Sequence, residues 1–190
     1  MIATSPTGRP YLRASDGWTV PPIDHAAASA LVPEAHYARG ASRTAVACHG
    51  LFDPSWRLVG AAMWMPPLPG AARTAVSCTT IAPGGVLALS RLVVRGGAPA
   101  NATGFLLGRS MAWVDRGRWP CLLTFADLRL GHEGVVYKAT NWEDLGLTAS
   151  SSYWTARRGG APAVGAVRTE EHHRGRDGRA RVPAEDDREA

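Results

Sequence analysis

Hydrophobic and polar positions alternate in two rhythms along most of this chain, and both rhythms stop near residue 155. Residues 1–20 read as an N-terminal extension, polar at first and then carrying Tyr11, Leu12 and Trp18, which suit an edge strand. Asp24 predicts the cap of a helix over 25–32, through the alanine-rich run to Leu31. Pro33 is expected to interrupt that helix, with a second short turn carrying His36 and Tyr37 to a stop at Gly40. Residues 44–49 and 57–64 read as strands around a turn at Asp53 and Pro54, and 73–79 read as another strand. The valine- and leucine-rich run 86–94 suits a central strand. After a loop over 95–100, Asn101 predicts the cap of a helix over 102–116. Leu107, Met111 and Val114 there recur at helical spacing, with Leu106 and Trp113 widening the stripe. Residues 120–126 read as a buried strand, 132–141 as a short helix and 146–155 as a last strand.

Beyond 155 no apolar side chain is larger than Val, so the segment 156–190 is expected to be a disordered, charged tail. The folded part is then a single α+β domain over 21–155, a mostly antiparallel central sheet flanked by helices. A hydrophobic fraction of 45% and a charged fraction of 19% fit a globular protein. The chain has no long uninterrupted apolar run and no basic-then-apolar leader, so a cytoplasmic location is expected. Cys48, Cys78 and Cys121 are odd in number and widely spaced, which argues against a disulfide framework or a zinc site. All three sit in apolar stretches and read as small hydrophobes. The net charge of +5 rests on arginine, because Lys138 is the sole lysine. Arginine suits a polyanionic partner, and a GC-rich coding sequence produces the same bias.

Three constellations could carry chemistry. In the first, the strand–loop–helix over 86–116 brings Leu92, Val94 and Arg95 to the start of a helix opened by Asn101, Ala102, Thr103 and Gly104. Free backbone N–H groups and the helix dipole there suit a pyrophosphate. The second is Asp127, leaving a strand, with His132 and then Tyr137 on the next element. A carboxylate there can orient or deprotonate an amine, and a phenol can protonate a leaving thiolate. Equally, Asp127 can cap a turn while Tyr137 fills the core. The third is His36–Tyr37 with Cys48–His49. Two histidines and a carboxylate drawn from His36, His49, His132 and Asp127 are a metal-ligand set in type, without a supporting local spacing.

The run 122–148 resembles the signature segment of the Mom family. In that family a strand ends in Y-A-D, a G-H-x-G turn follows, and then a Y-x-A-x-N-W stretch and a glycine. The matching residues are Phe125, Ala126 and Asp127; Gly131, His132 and Gly134; then Tyr137, Ala139, Asn141, Trp142 and Gly146. The run 89–94, the helix near Asn101 and His36–Tyr37 add to the likeness, which spans roughly residues 25–155. Two positions depart from it: Ala88, where the family often has Glu, and Phe125, where it often has Tyr.

The resemblance implies a GNAT-like fold whose sheet opens to admit acetyl-CoA or a related acyl donor. It implies transfer to the N6 amine of adenine in double-stranded DNA, with a carbamoylmethyl-type adduct that protects from restriction. Carried over by position, His36, Tyr37, Asp127 and Tyr137 form the catalytic set. Iron is a further cofactor that the resemblance admits, with His36 and Asp127 as first ligands. The adenine would have to leave the base stack, and Trp64 and Trp142 are candidates to stack on it, with core packing as the alternative. Two other readings stay open: a GNAT N-acetyltransferase acting on a small amine or a protein, and a non-catalytic relative that binds coenzyme or DNA.

Overall fold

The structure is a computed structural model and describes residues 8, 10–35, 40–127, 132–146, 151–158 and 161–171. The chain divides into two compact units, Met1–Asp144 and Leu145–Ala190.

The first unit is built on a four-stranded sheet in the order β1-β2-β3-β4, with β1 (Ala47–Phe52), β2 (Leu58–Met65), β3 (Val86–Val94) and β4 (Cys121–Leu123). The first three strands run antiparallel, and β4 lies parallel to β3. Helix α1 (His25–Ala35) precedes the sheet, α2 (Pro69–Ala75) links β2 to β3, and α3 (Ala102–Trp113) crosses from β3 to β4. The single turn α4 (Val135–Lys138) follows β4. Helices cover both faces, which explains why β2 and β3 read as nearly continuous apolar runs. On one face Leu31 and Val32 of α1 pack on Cys48, Ala61, Met63 and Val93. On the other, Leu106 and Leu107 of α3 pack on Leu51, Ala62, Trp64, Leu87 and Leu89.

One surplus residue shifts the alternation of odd and even positions in β3. Met63 pairs with Arg91, but the next residue, Trp64, pairs with Leu89, so Ser90 is an extra residue bulged out of β3. Its hydroxyl donates to the Met63 carbonyl at 3.0 Å. The bulge exchanges the parity of the strand. Before it Leu87 and Leu89 face α3; after it Leu92 and Val94 do, while Val93 turns to α1. The register between β3 and β4 covers only Val86–Ala88 with Cys121–Leu123. Beyond Ala88 β3 continues to Val94 along β2, with no registered pair to β4, which ends at Leu123.

Asp24 caps α1 as expected, its Oδ1 accepting from the Ala27 N–H at 2.6 Å. The helix then runs through Pro33 rather than stopping there. The segment 73–79, expected as a strand, is instead the end of α2 and the turns after it. Pro69 stands at its first turn and three alanines follow within the helix, all favourable to helix, whereas the β-branched Thr74, Val76 and Thr79 suggested a strand. The helix expected over 132–141 reduces to the single turn of α4, and the N-terminal edge strand to two bridges onto β1, Thr19 with Phe52 and Pro22 with His49. Trp113, expected in the buried stripe of α3, is 57% exposed, its indole donating to the Val20 carbonyl at 2.7 Å.

In the second unit, β5 (Ser151–Arg158) and β6 (Ala161–Glu171) pair antiparallel. The expected disorder from 156 onward meets this hairpin, and residues 172–190 lie outside the described ones. Among the described residues no helix is long and apolar enough to cross a membrane.

Candidate functional site

Asp127 stands four residues after the short β4 ends. Its carbonyl accepts from the His132 N–H at 3.2 Å, folding the chain back on itself. Gly134 then adopts a φ of +69°, a left-handed conformation that glycine takes at little cost, and starts α4. A Cβ on Gly134 would stand 3.5 Å from Tyr137 Cδ2 and 3.8 Å from Ala126 Cβ. The tyrosine ring and the residue before Asp127 therefore converge on one glycine. The turn also meets the start of α3, since a Cβ on Gly104 would lie 3.8 Å from Thr140 Cγ2. So the strand exit, the phenol-bearing turn and the N-terminal turn of α3 gather at one end of the sheet.

The rest of the motif explains itself as a helix stop. Asn141 takes a φ of +62°, the Trp142 N–H donates to the Tyr137 carbonyl at 3.1 Å, and the Asn141 N–H donates to the Lys138 carbonyl at 3.4 Å. These are the two reverse bonds of a Schellman cap, with its usual apolar clasp supplied by the Tyr137 and Trp142 rings, 5.8 Å apart. Tyr137 is half-buried and packs on the main core together with Trp142. Trp64, offered above as a stacking surface, is fully buried and has no such role. The Oγ1 of Thr124 and the Nε1 of Trp142, both buried, find no hydrogen-bond partner among the described residues. Phe125, by contrast, is 51% exposed beside Asp127.

The expected cofactor residues hold varied positions. Leu92 and Val94 lie against the core under α3, Arg95 is exposed, Ala102 is buried, and Thr103 and Gly104 are half-buried in the first turn. Asn101 does not cap α3 with its side chain. Its amide instead accepts from the Leu12 N–H at 2.6 Å and donates to the Leu12 carbonyl at 2.9 Å, clamping the N-terminal segment to the helix start. His36 and Tyr37 lie outside the described residues; the chain just after them is held by Arg91, whose Nε donates to the Gly40 carbonyl at 2.7 Å. Among the described residues no three His, Cys, Asp or Glu side chains gather as a metal site. His49 is not near such a group: it is buried beneath α3, with Nδ1 2.7 Å from Ser110 Oγ, which also accepts from the Trp64 indole at 2.7 Å. Burial lowers its pKa to about 4. Cys48 and Cys121 have thiol pKa values raised by burial, in line with a packing role, whereas Cys78 is exposed.

A sequence model of the Mom protein family matches residues 17–184. The chain belongs to the Mom protein family. No curated protein matches it. Membership in the Mom family points to a phage DNA modification protein with adenine as the modified base. In this Mom protein, Ala88 stands 5% exposed in the sheet, in register with both Met65 and Leu123. Its small side chain fits that enclosed position, which an acidic residue would occupy only at a desolvation cost.

Proposed function

We propose that this Mom protein is an enzyme that transfers an acyl-derived group to the N6 amine of adenine in DNA, with a carbamoylmethyl-type product. The observation that carries the reading is the convergence of Tyr137 and Ala126, the residue before Asp127, on Gly134, next to the first turn of α3. The β4 side of β3 favours a GNAT-like donor site: the strands share three registered pairs, the last at Ala88, just before the Ser90 bulge. The exposed backbone of β3 can there accept an extended amide-bearing donor, and the α3 start offers N–H groups to its phosphates. Acyl transfer from a coenzyme A thioester would release the thiolate and give an N6-acyl amide; the carbamoylmethyl product instead needs N6 to bond to a methylene carbon, with the leaving group displaced from that carbon. Iron would be held by His36, which lies outside the described residues, together with Asp127.

The residues divide the work by their chemistry. The adenine N6 amine is a weak nucleophile because its lone pair is delocalised into the ring. Asp127, half-buried at the strand exit, accepts a hydrogen bond from the amine and takes its proton as the new bond forms. Tyr137 donates to the leaving group from a ring immobilised by Trp142. Exposed Phe125 offers an apolar face to the extruded base.

The test is nucleoside mass spectrometry of host DNA after expression of the wild-type chain, Asp127→Asn and Tyr137→Phe. A heavier deoxyadenosine with the wild type, lost with Asp127→Asn and strongly reduced with Tyr137→Phe, is expected. Unmodified deoxyadenosine in the presence of folded wild-type protein refutes the reading.

A further inference from the structure

The turn between β1 and β2 is a built feature that the donor and amine chemistry does not use. At its tip Trp56 is 72% exposed and takes a φ of +59°, a left-handed conformation that a bulky side chain rarely adopts. The surroundings over-determine that conformation. Asp53, only 6% exposed, accepts at Oδ1 from the N–H groups of Ser55 and Arg57, at 2.9 and 3.0 Å. Its Oδ2 accepts from Arg57 Nε at 2.7 Å and pairs with Arg57 Nη2 at 2.7 Å. The backbone closes the same turn, Trp56 N–H donating to the Asp53 carbonyl and Asp53 N–H to that of Arg57. The Phe52 ring lies 5.8 Å from the Trp56 ring. A strained, exposed aromatic fixed this firmly is a feature of binding sites, because strain persists only where the fold enforces it.

Sheet topology puts the tip at the working end. The start of β2 pairs with the end of β3, Gly60 with Val94, and the Arg95 N–H donates to the Val59 carbonyl at 2.8 Å. Since β4 is parallel to β3, it too heads toward this end and exits to Asp127. The N-terminal segment crosses the same end, tied to Asn101 through Leu12 and meeting Pro54 at Gly17, where a Cβ would stand 3.6 Å from Pro54 Cβ. Arg13, Arg57 and Arg95 are all exposed there. Arg57 uses Nε and Nη2 on Asp53, while its side chain remains 76% exposed, so other guanidinium donors face outward.

We propose that Trp56 is a stacking platform for a base of the bound DNA, with the neighbouring arginines on the phosphates. The proposal rests on the DNA reading above. A planar ring held outward, flanked by arginine rather than by further apolar surface, fits a π-face beside a polyanionic backbone.

The test compares wild type, Trp56→Ala, Trp56→Tyr and Trp56→Gly by fluorescence anisotropy with a labelled DNA duplex over a salt series, alongside thermal melting. Trp56→Ala and Trp56→Gly are expected to weaken binding by about ten- to a hundredfold, and Trp56→Tyr to stay within a few-fold of wild type. The slope of log affinity against log salt stays unchanged, because stacking releases no counterions. Melting temperatures stay level, or rise for Trp56→Gly as the strain is relieved. Wild-type affinity in Trp56→Ala overturns the platform and leaves the DNA reading standing. So does unchanged DNA binding with a shift in sedimentation, which would make Trp56 a contact between copies of the chain. A wild-type chain that binds no DNA overturns both.

Discussion

At the scale of single residues, the signature segment mixes two kinds of demand. Gly134 and Asn141 are there for backbone conformation, and Trp142 is there to clasp Tyr137. A stability measurement separates these roles. Asn141→Gly is expected to be neutral or slightly stabilising in urea, whereas Asn141→Ala costs about 1 kcal/mol, because alanine resists the left-handed position. Asp127→Asn is expected to lie within about 0.5 kcal/mol of wild type, as for a partly exposed side chain outside the core. A loss of several kcal/mol would make Asp127 a structural residue. The pattern of residue types picked out the segment that carries Asp127 and Tyr137, and the structure brings Ala126, the residue before Asp127, and the Tyr137 ring to Gly134. The pattern did not reveal Trp56: strain and exposure are properties of a turn in space, and a lone tryptophan between Ser and Arg has no periodicity to betray it. It offered Trp64 as a stacking candidate beside core packing, and that residue's place in an apolar strand between two helical layers gives the latter.

At the scale of elements, β1, β2 and α3 are joined by one polar cluster inside an apolar layer: His49, Trp64 and Ser110. The indole can only donate, so we assign the hydroxyl proton to His49 Nδ1 and the ring proton to Nε2. The folded state holds this histidine neutral down to about pH 4, whereas the unfolded chain protonates it near 6.5. Protons therefore bind preferentially to the unfolded state over that window, and stability falls as pH drops from about 6.5 to about 4. The integrated loss is about 3 kcal/mol. Urea titrations across this range check it, and His49→Gln should flatten the dependence. Ser110→Ala strands both partners and is expected to cost about 2 kcal/mol or more. Elements with a strong period were legible: the central strand over 86–94 is found over those residues, and α3 starts where expected. The segment at 73–79 was not, because β-branched residues near a helix end carry the same local signal as a strand. Pro33 misled for a related reason. It removes one helical hydrogen bond, yet the packing of Leu31 and Val32 on the sheet holds the helix through it.

At the scale of the whole molecule, apolar content indicated a globular chain, the order of elements an α+β domain, and the arginine-borne charge was compatible with a polyanionic partner without deciding it or which end of the sheet would receive it. That follows from strand direction: the parallel β4 and the β1–β2 turn put the signature segment, the α3 start and Trp56 together. Ser90→Ala removes one hydroxyl bond to a carbonyl and is expected to cost about 1 kcal/mol. Deleting Ser90 would remove only the surplus residue: Leu89, Leu92 and Val94 would stay toward α3 and Val93 toward α1, now in regular alternation. The expected result is a chain that still melts cooperatively by circular dichroism, with the strand straightened at that point. The single supernumerary serine thus bends the strand without deciding which layer its neighbours meet, and lineages of this protein can vary the letter at that place, or lose it, without exchanging the two layers.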